Sequence, residues 1–163
     1  MAIKNRSVIV RSFTEAWDEG YFVHTSSDSE TLLPGTLVYQ SAGGLTLNET
    51  PQALGQFKVN ADVNYPPQIV VEDELQGKTI DDVYASGDHV RVKYLGVGER
   101  YVVYSYAGET VAVGALLSPH TDGTVIANTG PGDVDKTLFR AETAVAGTDT
   151  GADRRLVVTV LRV

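Results

Sequence analysis

Cysteine is absent from the 163 residues, which removes disulfide frameworks, thiolate zinc sites and cysteine nucleophiles at once. Histidine is scarce: His24, His89 and His120 stand in three separate segments, so no two share a helix face in the way a metal pair requires. Lysine is scarce too, with only Lys4, Lys58, Lys78, Lys93 and Lys136, and the net charge is −8. That sign opposes the neutralisation of phosphates, so nucleic acid is not an expected partner. No apolar run approaches the ~18 residues of a membrane helix, and the stretch from Met1 through Lys4, Asn5 and Arg6 lacks the long apolar segment of a secretory signal. Neither membrane insertion nor secretion is expected.

What is present suits one globular domain. Hydrophobic residues make up 42% and charged residues 21%, and the length matches a prior of roughly 100–200 residues per domain. The excess of carboxylates fits either ordinary solubility or a surface adapted to high salt, such as that of a salt-loving host, where repulsion is screened over about 3 Å at 1 M.

Where periodicity is clear it is two. In Asp88–Leu95, Val90, Val92 and Tyr94 fall on one face while His89, Arg91 and Lys93 fall on the other, as a half-buried strand requires. Further strands are expected at Ser7–Val10, Tyr21–Thr25, Thr36–Gln40, Gln56–Val63, Gln68–Glu72, Tyr101–Tyr106, Thr110–Val113, Thr124–Ala127 and Leu156–Val163. Turn signals separate them, from Pro34-Gly35 to Gly130-Pro131-Gly132, and sixteen glycines leave little room for a long helix. An all-β barrel or sandwich follows. At most one short helix is expected, at Ser12–Asp18, where Ser12 and Glu15 fit a capping box. We divide the chain into an extended N-terminal arm (1–20) and one β domain (21–163), with Pro66-Pro67 marking either a sub-lobe boundary near 64–68 or a loop.

Catalytic patterns are sparse. Gly-x-Ser-x-Gly is missing, and Gly96-Val97-Gly98 and Gly130-Pro131-Gly132 are turns rather than phosphate loops. Carboxylates cluster at Glu72-Asp73-Glu74, Asp81-Asp82 and Asp133/Asp135 without the spacing of a calcium loop, and solvated acidic loops are the plainer reading. No catalytic residue, metal or cofactor is expected. Asp122-Gly123 reads as the type I′ turn of a hairpin carrying His120. In Tyr101–Tyr106 both faces are partly apolar, so this strand is expected to be covered on both sides.

Three ordered elements carry a family likeness: Val70–Asp82, Tyr84–Val92 and Ala107–Leu117, followed by Asp122-Gly123-Thr124, Ala141–Val145 and the arginine-led Arg154–Val160. Together these resemble the head decoration, or capsid cement, proteins of tailed viruses, while Leu45–Val63 and Pro131–Leu138 have no counterpart in that pattern. The resemblance implies a non-enzymatic, β-tulip-like protein made in the host cytoplasm. It would dock on the outer surface of an icosahedral head, brace neighbouring major capsid protein subunits, and commonly form a homotrimer. On this reading the contact residues are Lys4, Arg6, Val8, Val10 and Arg11 of the arm, whose alternation suits strand addition to a partner's edge, with the aromatic residues Trp17, Tyr84 and Tyr101. Two other classes compete: a glycan- or surface-binding β-module using Trp17 and tyrosines, and a hydrolase using Glu72 and Asp81.

Overall fold

A computed structural model describes residues 8–11, 19–23, 32–40, 54–56, 68–85, 88–120, 122–130 and 137–162. In chain order the strands are β1 (Ile9–Arg11), β2 (Glu19–Val23), β3 (Leu37–Gln40), β4 (Leu54–Gln56), β5 (Gln68–Val70), β6 (His89–Tyr94), β7 (Arg100–Tyr104), β8 (Leu116–Pro119), β9 (Val125–Ala127), β10 (Phe139–Ala141) and β11 (Arg155–Val160). Short 3-10 helices lie at Glu74–Gln76 and Gly151–Arg154. The strands form a six-stranded sheet, β1-β7-β11-β10-β8-β9, and a five-stranded sheet, β2-β6-β5-β3-β4. Strand pairs within both are antiparallel. The larger sheet curls: a parallel bridge joins Ser105 to Val125, and the Tyr106 amide donates to the Val125 carbonyl at 2.8 Å. The all-β architecture is as the sequence indicates.

Burial explains why these short strands hold. Leu37 and Ile69 belong to the main core with Val102, Leu117, Phe139, Leu156 and Val158 of the larger sheet. The next residue along each strand, Val38 and Val70, belongs to a second core with Leu32, Tyr84, Val90 and Val92. Successive strand residues point to opposite faces, so β3 and β5 are covered on both. Tyr84 caps the smaller core, and its hydroxyl donates to the Val71 carbonyl at 2.9 Å. Burial, with the negative charge of Asp73 nearby, pushes the phenol well above the usual tyrosine range.

Several expectations need correction. Lys93 lies in the interior at 2% exposure, while Tyr94 is 37% exposed. The register pairs Lys93 with Ile69, which places it over the main core, and Tyr94 emerges at the strand's end. Thr110–Val113 is not a strand: Val111 makes one bridge to Val145, and a turn from Ala112 to Ala115 follows it at once. β8 and β10 are additional; both are short, and they pair with each other, while β8 also pairs with β9 and β10 with β11. The segments Ser12–Asp18 and 57–67, with the expected helix and boundary, lie outside the described residues. β3, before that boundary, pairs directly with β5 after it.

The β8–β9 hairpin forms, but its turn closes between the His120 carbonyl and the Gly123 amide at 3.1 Å, one residue earlier than a type I′ turn centred on Asp122-Gly123. Gly123 has φ +77 and its carbonyl accepts from the Leu37 amide at 2.8 Å, so the hairpin tip of one sheet is tied to the first residue of β3 in the other. A Cβ on Gly123 would sit 2.5 Å from Thr36 Cγ2 and 2.9 Å from the Leu37 carbonyl oxygen, whereas one on Gly77, at φ +72, meets nothing within 4 Å. The two positions share the left-handed backbone cost of roughly 1–2 kcal/mol for a non-glycine residue. Gly123→Ala is therefore expected to lose about 1–3 kcal/mol more than Gly77→Ala, measured by equilibrium urea unfolding; equal losses would show that the hairpin tip does not fix the sheets.

Candidate functional site

Arg155 opens β11 at the end of the larger sheet, on the face opposite Leu156, Val158 and Val160. Its side chain is 6% exposed. The Nε donates to the Tyr104 hydroxyl at 2.8 Å and Nη2 donates to the Ile80 carbonyl at 2.8 Å. Nη1 lies 2.7 Å from Asp81 Oδ1, whose side chain remains 71% exposed. The guanidinium also stands over the Tyr104 ring, 5.2 Å from its centroid. Burial opposes the charge, but the Tyr104 hydroxyl and the Asp81 carboxylate outweigh it and hold the proton more firmly than in a free arginine. One side chain thus joins β11, β7 and the segment before β6.

This network floors an open cleft of about 350 Å³, walled by Leu33, Thr36, Asp122, Thr124 and Arg154 as well as Asp81, Tyr104 and Arg155. On its hairpin wall, His120 Nδ1 is 2.9 Å from Asp122 Oδ1, which also accepts from the Thr124 amide at 3.1 Å. The His120 ring packs on Tyr106 with centroids 4.2 Å apart. Burial raises the Asp122 pKa, but hydrogen bonds from Thr124 and His120 more than offset this and hold the carboxyl below the usual aspartate range. Arg154, Arg155, Asp81 and Asp122 thus give the cleft a lining of mixed charge. Among the described residues no group of three or more His, Asp or Glu is placed to hold a metal ion.

The contact residues expected from sequence do not gather at one place. Lys4, Arg6 and Trp17 lie outside the described residues. Val8, Tyr84 and Tyr101 each have 0% exposure, so a partner has no access to them in this fold; their apolar bodies fill the chain's own interior. Val10 and Arg11 belong to β1, which pairs with β7 of the same chain and stands at the edge of the larger sheet. Asp133 and Asp135 lie outside the described residues; of the other clustered carboxylates, all but Glu74 are engaged within the chain. Glu72 accepts the Val8 amide at 3.0 Å, Asp73 caps Leu75, Asp82 accepts from Thr79, and Asp81 holds Arg155. Glu72 and Asp81, paired in the hydrolase reading, therefore serve separate networks. The Arg155 junction was missed; its signal was an arginine at the head of a largely apolar strand.

The fold defines the chain as an all-β protein of two antiparallel sheets. No protein-family model matches it, and no curated protein matches it in sequence. Among solved structures, the N base of head fiber gp8.5 from bacteriophage phi29 is similar, with a TM-score of 0.51 and 13% identity over 87% of this chain and 93% of that chain. At that identity the likeness is one of fold.

Two predictions test the junction. Arg155→Met leaves the Tyr104 hydroxyl and the Ile80 carbonyl without their donors and is expected to cost about 1–3 kcal/mol in urea unfolding, whereas Asp81→Asn, altering an exposed partner, costs under about 1 kcal/mol. For Asp122 the sign follows from its lowered pKa. Its contribution is full above the unfolded-state value near ~4 and is lost as pH falls through the folded value. The melting-temperature deficit of Asp122→Asn should be greatest above about pH 5 and close on further acidification; a deficit independent of pH would show that the carboxylate's charge is not what stabilises the hairpin.

Proposed function

We propose that this chain is a structural protein of a tailed-virus head, carried on the outer surface of the capsid, where it binds the major capsid protein and braces neighbouring subunits. The observation that carries this reading is the fold shared over nearly the full length of both chains with the base of a phage head fiber. The order of the Val70–Asp82, Tyr84–Val92 and Ala107–Leu117 elements supports it, because these segments build the second core, β6 and the turns leading to β8. An acidic β domain with two packed cores is physically suited to such work: bracing needs no moving part, and its polar cleft and exposed loops offer contacts to neighbours.

The reading is tested by mixing purified protein with heads that lack it, sedimenting at low and high salt, and counting bound copies per capsid subunit. Saturable binding at a fixed, symmetry-compatible ratio, with greater resistance of the heads to heat, is the expected result. Absence of binding at every salt concentration overturns it and turns attention to glycan binding.

A further inference from the structure

The most exposed large apolar residue among those described is Leu75, at 93%, and it sits on a loop built to stay in place. Asp73 and Lys78 exchange backbone hydrogen bonds at 3.0 and 2.9 Å. The nearly fully buried Asp73 accepts the Leu75 amide at 3.1 Å, and Gln76 Nε2 reaches both Asp73 and the His89 carbonyl. A loop braced at its base and tip holds its leucine out with little ordering left to do on docking. Beside Leu75, Glu74 is exposed, and its carboxylate has no hydrogen bond or ion pair among the described residues.

The complementary feature lies elsewhere on the chain. The turns after β7 and β10 abut to form an open cleft of about 360 Å³ whose walls are small, from Ala107, Gly108, Gly147, Thr148 and Gly151, with Arg154 at its side. The two turns are in close contact: the Gly147 amide donates to Thr110 Oγ1 at 3.0 Å, and a Cβ on Gly147 would come within 2.7 Å of the Gly108 carbonyl oxygen. Asp149 also lines this cleft, its carboxylate accepting the Ala146 amide at 2.8 Å. The Arg154 guanidinium, in contrast, has no hydrogen bond or ion pair among the described residues.

We infer that the Glu74–Leu75 tip of one copy docks in the Ala107/Gly108/Gly147 cleft of a second copy, with Leu75 seated among the small residues and Glu74 paired to Arg154. The choice of a second copy rests on charge. Glu74 is exposed beside Leu75, and the Arg154 guanidinium beside the cleft has no hydrogen bond or ion pair among the described residues. This opposite-charge pair, with an apolar anchor, is what offsets the repulsion between two chains of net charge −8. This tip and this cleft supply both halves. The contact uses different surfaces on the two copies and so runs head to tail, closing into a ring when the rotation allows. It deepens the capsid reading above, on which its setting rests, but it is tested apart from any capsid.

The absence of cysteine makes the test direct. Leu75→Cys and Thr148→Cys each alter an exposed position and are prepared separately, then oxidised alone and as an equimolar mixture at low micromolar concentration. The expected result is a disulfide-linked dimer containing one of each variant, formed in the mixture and not by either variant alone, because a disulfide requires Cβ atoms about 4 Å apart. Cross-linking of Leu75→Cys to itself, or a mixture no more cross-linked than its components, overturns the inference. In sedimentation velocity, Glu74→Arg and Arg154→Glu should each weaken self-association about tenfold, and the double variant should restore it. Failure of the double variant to recover removes the Glu74–Arg154 pairing. Cross-linking without head binding would refute the capsid reading while leaving the contact intact; head binding without cross-linking would do the reverse.

Discussion

Two-sided burial of β3 and β5 is the constraint from which the rest of the architecture follows. Leu37 and Ile69 face the larger sheet, while Val38 and Val70 face Leu32 and Tyr84. A strand covered on both faces must have cover supplied from both directions. Here the six-stranded sheet supplies one cover, and the segments before β3 and before β6 supply the other. That requirement brings the chain segment containing Tyr84 back across the smaller sheet, where the Tyr84 amide bonds the Leu32 carbonyl at 2.8 Å. It also places Ile80 and Asp81 within reach of Arg155.

With no disulfide, the sheets are joined by packing and by a few polar ties at their margins. Gly123 to Leu37, Glu72 to Val8, and Arg155 to Ile80 are three such ties, each linking segments distant in sequence. Arg155 is the most informative because its surroundings are asymmetric. A fully buried ion pair seldom repays the desolvation of both charges, but here only the guanidinium is withdrawn from water and the carboxylate of Asp81 stays largely hydrated. The buried partners are a neutral hydroxyl and a carbonyl, which satisfy donor groups without a second desolvated charge. The arrangement fixes geometry at a modest energetic cost, and it lies at the floor of the cleft lined by Thr36, Asp122 and Arg154.

The sequence was most legible where a local pattern coincided with the tertiary environment. The alternation through Val90 and Val92 identified β6, and the two apolar faces of Tyr101–Tyr106 identified a strand covered on both sides, with Tyr101 through Ser105 all buried. It failed where cover came from far away in the chain. Lys93 is polar in sequence yet interior, because Ile69 is its cross-strand neighbour. Phe139–Ala141 carries no strand pattern of its own and becomes one through β8 and β11. The burial of Tyr84 and Tyr101 was illegible for a related reason. Aromatic residues with a polar end are equally suited to an interface and to a core, and only the fold decides: Tyr84 and Tyr101 went to the core.

That division bears on how an acidic surface can associate at all. A smooth carboxylate surface would keep copies apart, and exposed aromatic residues would make contact nonspecific. The described surface places its most exposed large apolar side chain on one braced tip, Leu75, while most of the carboxylates beside it cap turns or hold Arg155. Charges engaged within their own chain repel a neighbour still, but they do not also have to be stripped of a strong partner when a contact forms elsewhere. Repulsion then acts over a long range and is weakened by salt, whereas the apolar anchor acts only at contact and is not. Specificity in such a surface comes from this difference in range: dense charge rejects approaches in most orientations, and the few that place a leucine against small residues and a guanidinium against a free carboxylate are retained.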